Sequence, residues 1–94
     1  MGAPSVSVQL ISDDAHTFTL EARVREGGSE TNHTVTLGRD VLTRLAPNES
    51  AEGFVGRCFA FLLEREPKES ILRRFDVSVI GRYFPEFDET IASR

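Results

Sequence analysis

The sequence predicts an α+β fold, a four-stranded and mostly antiparallel sheet packed on helices. Apolar and polar residues alternate in three stretches of the first 38 residues, which is typical of half-buried strands. Apolar residues with helical spacing follow at about residues 49–66, and alternation returns from Phe75. Because 94 residues are enough for one hydrophobic core and too few for two, we expect residues 1–94 to form a single domain.

The first stretches predict a meander of three strands, at residues 5–11, 16–25 and 31–37. The connections between them are short, which favours antiparallel neighbours. Gly27 and Gly28 lie in the second connection and permit the positive φ of a hairpin turn. The residues expected to face inward are Val6, Val8, Leu10, Phe18, Leu20, Ala22, Val24, Val35 and Leu37.

The middle of the chain predicts helices. A short helix should end near Ala46, because Pro47 follows. Asn48 or Ser50 can cap the next helix, which we expect at about residues 49–66 as the central packing element. Burial of its large apolar side chains, at roughly 1.5–3 kcal/mol each, outweighs the roughly 1 kcal/mol that each helical glycine costs. The expected inward stripe consists of Ala51, Phe54, Val55, Cys58, Phe61, Leu62 and Arg65, widened by Phe59 and Leu63.

The last third predicts two short helices and a strand. Pro67 ends the long helix and starts a short one, with Ile71 and Leu72 packing inward. The segment FDVSVI alternates and predicts a fourth strand at 75–80, which Gly81 and Arg82 then break. A terminal helix follows from Pro85, with Phe87 and Ile91 on its apolar side.

Two segments of the chain, NHTVTL and FAFLLEREPKESILRRFDVSVIGRYFPEF, together resemble a group of short, uncharacterised bacterial proteins. The pattern of that group pairs a Thr-His-x-Val strand with a segment FLLEREP…SIL..FD..VI..YFPE. The likeness covers roughly residues 31–91, and Asn32 stands where the pattern has threonine. The resemblance implies a shared small α+β domain in a bacterial cytoplasm. Since the group has no established activity, the resemblance implies no substrate, cofactor or catalytic residue.

The composition argues against several classes of partner. The net charge of −4 gives no general attraction to phosphate backbones or anionic lipids. The chain contains neither a secretory signal nor the roughly 20-residue apolar run of a membrane span, so we expect a cytoplasmic protein without a membrane partner. Weak nucleic-acid binding stays open as an alternative, although acidic residues are interspersed among the basic ones that it would need. Those residues are Arg57, Arg65, Arg73, Arg74 and Arg82.

Few residues in the sequence suggest chemistry. Cys58 is the single cysteine, and its apolar neighbours predict a buried and unreactive thiol. His16 and His33 lie near strand ends with inward parity, so the two could approach each other or a carboxylate such as Asp13, Asp14 or Glu30. No closely spaced pair of metal ligands occurs. We therefore expect no catalytic set, no metal and no cofactor.

Two candidate sites remain. Arg82, Tyr83, Phe84 and Phe87 concentrate aromatic side chains near the end of the chain, which suggests a surface for another protein or for self-association. Alternatively, Phe84 and Phe87 hold the last helix to the sheet. A pocket between sheet and helices would be lined by Phe18, Phe54 and Phe61.

The leading hypothesis for function is a non-enzymatic interaction or regulatory module. The alternatives are a small-molecule-binding domain or minor enzyme that uses the predicted pocket, and the weak nucleic-acid binder.

Overall fold

The computed structural model describes residues 4–92 as a four-stranded mixed sheet packed with helices. The strands are β1 (Ser5–Asp13), β2 (Thr17–Glu26), β3 (Ser29–Gly38) and β4 (Arg74–Asp76), in the spatial order β1-β2-β3-β4. The helices are α1 (Arg39–Leu45), α2 (Ala51–Leu63), α3 (Ile80–Tyr83) and α4 (Phe87–Ala92), and two 3₁₀ turns lie at Lys68–Ser70 and Val77–Val79. The α+β prediction is confirmed.

The predicted meander is also confirmed, since β1 pairs with β2 and β2 with β3, both antiparallel. Its register aligns the inward residues in rows across the sheet, for example Leu10 beside Leu20 and Leu20 beside Val35. Gly27 has φ 62° at the first central position of the β2–β3 turn, where a type II′ turn requires it. The β1–β2 register shifts between Leu10 and Ser12, and Ile11 at this irregularity is exposed.

The fourth strand differs from its prediction. Only Arg74–Asp76 is a strand, and it runs parallel to β3, while Val77–Val79 is a 3₁₀ turn and Ile80 begins α3. The strand ends because the Asp76 carboxylate accepts hydrogen bonds from the backbone N–H (3.0 Å) and hydroxyl (2.7 Å) of Ser78, which caps the turn. Gly81 and Arg82, predicted to break a strand, therefore lie within α3.

The helix α2 is the central packing element, as expected, and Ser50 is its cap. The Ser50 hydroxyl accepts the backbone N–H of Gly53 at 3.0 Å. The helix ends at Leu63, three residues before the predicted boundary, and its buried residues are Ala51, Phe54, Val55, Cys58, Phe59, Phe61 and Leu62. Arg65 lies beyond this end and is exposed, so its predicted place in the inward stripe is wrong.

The segment after Pro67 forms a 3₁₀ turn instead of the predicted short α-helix. Ile71 is buried as expected, but Leu72 is 49% exposed, so its predicted inward position is wrong. A 3₁₀ turn has three residues per turn rather than 3.6, which changes the direction in which the following side chains leave the backbone. The terminal helix α4 buries Phe87 and Ile91 as predicted.

Candidate functional site

A pocket of about 370 Å³ opens on the C-terminal half of the structure, and we call it the C-terminal pocket. It lies between the end of α2, the chain from Ser70 to Phe75, and helix α3. Its volume is at the lower end of the roughly 300–1,000 Å³ typical of ligand pockets. The lining is apolar apart from two side chains and the Tyr83 hydroxyl, and consists of Leu62, Glu66, Ser70, Ile71, Leu72, Phe75, Val79, Ile80, Tyr83 and Phe84.

Two lining residues, Leu72 and Tyr83, are large hydrophobic side chains that solvent reaches. Leu72 is 49% exposed and Tyr83 is 67% exposed. Within residues 4–92 the third such side chain is Ile11, which lies apart from the pocket on β1. The exposed apolar surface is therefore concentrated around the pocket, and concentrated exposed apolar surface is characteristic of binding sites.

In the described part of the chain, the one carboxylate of the lining belongs to Glu66, just beyond the end of α2. Its backbone N–H donates to the Leu62 carbonyl (2.9 Å), which continues the helical turn. Partial burial raises the pKa of the Glu66 carboxyl. Among the described residues, no ion pair and no side-chain hydrogen bond involves this carboxylate.

The wall formed by residues 71–76 is fixed to β3 by the parallel pairing of β4 with β3 and by three further polar contacts. His33 Nδ1 donates to the Leu72 carbonyl at 2.8 Å, and the Thr34 backbone N–H donates to the Arg73 carbonyl at 2.8 Å. The Thr36 hydroxyl donates to Asp76 at 2.6 Å. This wall is therefore preorganised by β3 rather than by the pocket's own residues.

The electrostatics of Asp76 are consistent with this anchoring role. Burial acts to raise the pKa of the Asp76 carboxyl, but hydrogen bonds from Thr36 and Ser78 outweigh it, and the pKa is lowered. The carboxylate thus stays ionised while it joins β3 to the turn that opens α3.

The residues of the predicted partner surface separate into exposed and buried members. Tyr83 and Phe84 line the pocket, and Arg82 is exposed beside them on α3. Phe87 is buried, and its ring meets that of Phe61 edge-on at 5.1 Å. Phe84 also contacts Phe61 edge-on, at 5.9 Å. These contacts are with helix α2 and not with the sheet that the alternative named, while Tyr83 and Arg82 remain accessible.

The residues of the predicted pocket lining are placed elsewhere. Phe54 and Phe61 are buried in the core on α2. Phe18 is half-buried on β2, and the guanidinium of Arg39 lies over its ring, 4.4 Å from the centroid. None of the three belongs to the lining of the C-terminal pocket.

The expectation of an apolar setting for Cys58 is confirmed. The residue is 1% exposed in α2, and burial raises the pKa of its thiol. Since the thiolate is the reactive form, we expect iodoacetamide to alkylate the folded protein at least a hundredfold more slowly at neutral pH than the protein unfolded in denaturant. Rapid alkylation of the folded protein would contradict this placement of Cys58.

The two histidines do not meet, so that arm of the hypothesis is wrong, but His16 does lie beside a carboxylate, since its backbone N–H donates to Asp14 at 2.9 Å. His33 pairs with Ala22 in the sheet, and His16 lies six residues before Ala22, roughly 20 Å away along the strand. His16 is exposed, and His33 is buried. Within residues 4–92 no group of three or more His, Cys, Asp or Glu side chains is arranged to hold a metal ion.

The five arginines of the nucleic-acid alternative differ in their environments. Arg57 binds the Glu49 carboxylate (2.9 Å) and the Ile91 carbonyl (2.9 Å). Arg65 binds Glu86 (3.1 Å). The remaining three are exposed, namely Arg73, Arg74 and Arg82. Two of the five are thus engaged in intramolecular contacts.

Sequence reasoning missed Glu66 and Leu72 as site residues. Glu66 follows an alternation of acidic and basic residues that is typical of a solvated helix end. The available signal was Pro67, because a helix that stops there leaves the preceding side chain beside the turn rather than along a continuing helix.

The chain matches no protein-family model and has no significant match among curated proteins or solved structures. In the part of the chain that the structure describes, no helix has the length and apolar content needed to cross a bilayer.

Proposed function

We propose that this protein is a non-enzymatic interaction module of a bacterial cytoplasm, and that its C-terminal pocket binds a segment of another protein. The observation that carries the proposal is the position of Leu72 and Tyr83, two exposed apolar side chains on one pocket. Tyrosine is enriched among the residues that dominate interface energetics. A partner segment would remove both side chains from water.

A partner larger than the pocket fits these features better than a small molecule. Small-molecule sites bury most of the ligand and use several converging polar groups to orient it. Here the polar side chains of the lining are Glu66, Ser70 and the hydroxyl of Tyr83, and the last is on an exposed residue. A protein segment can insert one long side chain and cover the exposed surface around it.

Selection from a displayed library of random heptapeptides tests this proposal. Peptides selected on the wild-type protein are expected to lose at least tenfold in affinity for the Tyr83→Ala variant. The variant should remain folded, because Tyr83 is 67% exposed. Ile11→Ala is the matched control, since Ile11 is also an exposed apolar residue (53%) and lies on β1.

A second variant blocks the pocket without changing the core. Ser70 is an exposed lining residue, so Ser70→Trp should fill the opening and abolish peptide binding, whereas Ser5→Trp on β1 should not. Peptides that bind both tryptophan variants equally would contradict the proposal. A concentration-dependent dimer that Ser70→Trp disrupts would replace the partner segment with a second copy of this chain.

A further inference from the structure

We infer that Glu66 selects a positively charged side chain, so that the segment bound in the C-terminal pocket presents a lysine or an arginine to it. This inference rests on the proposed function and adds the chemical class of the occupant. It is carried by three features: a carboxylate that has no partner among residues 4–92, the flanking cations Arg65 and Lys68 that are bonded elsewhere, and apolar walls suited to the stem of a long basic side chain.

Among residues 4–92, the lining contains one acidic residue and no basic residue. An acid that is partly removed from water is destabilised unless a cation or hydrogen-bond donors compensate it. In residues 4–92 no such partner is present for the Glu66 side chain. A ligand that brings a cation supplies the missing compensation, whereas a neutral ligand covers the carboxylate and removes its remaining water.

The chain's own cations next to Glu66 are bonded to other groups. The guanidinium of Arg65 lies 3.6 Å from the centroid of the Phe61 ring and binds Glu86 at 3.1 Å. Lys68 is 4% exposed, and its ammonium donates to the Ser29 hydroxyl (2.6 Å) and to Glu69 (2.7 Å). Both flanking cations are thus held away from Glu66 by specific contacts.

The walls of the pocket suit the stem of a basic side chain. Lysine and arginine carry three or four methylene groups that pack on apolar surface while the charged end reaches a polar group. Leu62, Ile71 and Phe75 provide such a surface. The exposed ring of Tyr83 can also contact the cation through its face. A plain aliphatic side chain would fill the same space without using Glu66.

The test compares a cation with its neutral isostere. In NMR titrations of ¹⁵N-labelled protein at pH 7, n-butylguanidinium is expected to shift the backbone amides of Glu66, Ile71 and Tyr83. It should bind at least tenfold more tightly than n-butylurea. In Glu66→Gln this preference should disappear, because the amide carries no charge. Glu52→Gln is the matched control, since it makes the same change in charge at the opposite end of α2, where Glu52 is exposed.

The outcomes separate the inference from the proposed function. Equal binding of the two probes, or an unchanged preference in Glu66→Gln, overturns the inference. Selected peptides that bind in the pocket but contain no basic residue also overturn it and leave the proposed function standing. Failure of both probes and all selected peptides to perturb the pocket amides overturns both.

Discussion

Replacing Phe59 by alanine is expected to lower the free energy of unfolding by about 3–5 kcal/mol. Phe59 is fully buried on α2, and its ring contacts those of His33 and Phe75, with centroid distances of 5.3 and 6.0 Å. Its removal leaves a cavity between helix and sheet and loses packing on both sides. Because small proteins have only about 5–15 kcal/mol of stability, the loss should be plain in urea unfolding followed by circular dichroism.

Two variants make this measurement specific. Phe59→Leu keeps most of the apolar volume, so it should lower the free energy of unfolding by much less, about 1.5 kcal/mol. Tyr83→Ala removes an aromatic ring of similar size from an exposed position and should change stability by no more than about 0.5 kcal/mol. A loss below about 1 kcal/mol for Phe59→Ala would show that α2 does not pack on the sheet as described.

The elements that the sequence predicted well are those fixed by local periodicity. Alternation over residues 5–38 sets which side chains face inward, and the short connections leave antiparallel pairing as the natural arrangement. In the same way, helical spacing from Ala51 to Leu63 places one continuous apolar stripe toward the sheet. These patterns are local, so they identify the strands and the helix without knowledge of contacts between residues distant in sequence.

The fourth strand was misread because contacts distant in sequence decide its length and direction. Asp76 is held by Thr36, 40 residues away in the sequence, and caps the following turn through Ser78. The alternation in FDVSVI is real, but Val77 and Ile80 are also three apart, which equally suits a helical turn that buries both. Periodicity alone cannot choose between two readings of six residues.

The site was only partly predictable for a related reason. Tyr83 and Phe84 were identified because aromatic residues cluster visibly along the sequence. Glu66 and Leu72 belong to the pocket because the chain turns at Pro67 and passes through a 3₁₀ turn before it joins β3. Neither turn changes the local composition. The sequence therefore shows only the charged residues of a solvated helix end, where the structure has a pocket wall.

Replacing His33 by leucine is the second substitution for which we expect a large effect. It should lower the free energy of unfolding by about 2–4 kcal/mol. His33 is 1% exposed, and its ring bonds the Leu72 carbonyl at 2.8 Å and the Thr31 hydroxyl at 2.9 Å. A leucine of similar bulk would leave both groups without these bonds, at about 1–3 kcal/mol each, and its own apolar burial would offset part of this loss. His33→Gln retains a hydrogen-bonding amide and should lose less.

The same contacts determine the charge of the ring. A carbonyl can only accept, so Nδ1 must carry the proton that is donated to Leu72, and Nε2 of the neutral ring accepts from the Thr31 hydroxyl. Burial is the main cause that lowers the pKa of His33; the bond to the Leu72 carbonyl opposes it, and the charge of Arg73 adds to it. The folded protein therefore holds the imidazole neutral at pH values where the unfolded chain has begun to protonate.

This difference predicts how stability depends on pH. The pKa of the His33 side chain is 6.5 in the unfolded chain and lower in the folded protein, so below pH 6.5 the unfolded state binds more protons than the folded state. The contribution of neutral His33 to the free energy of unfolding is therefore complete above pH 6.5. It is lost as the pH falls from 6.5 through the folded pKa. Urea unfolding between pH 7.5 and 5 should show this decline in the wild type and a reduced decline in His33→Gln. His16→Gln, which changes an exposed histidine, is the matched control and should behave as the wild type.

The carboxyl of Glu66 contributes to the pH dependence of stability with the opposite sign. The pKa of Glu66 is raised by burial, so its contribution to stability is present below its unfolded value of 4.5 and is lost as the pH rises through the folded pKa. Because this contribution has the opposite sign to that of His33, Glu66→Gln removes it and leaves the decline caused by His33 by itself. A wild-type stability that stays flat from pH 7.5 to 5, together with a flat profile in Glu66→Gln, would show that His33 is not the buried neutral link between β3 and the pocket wall.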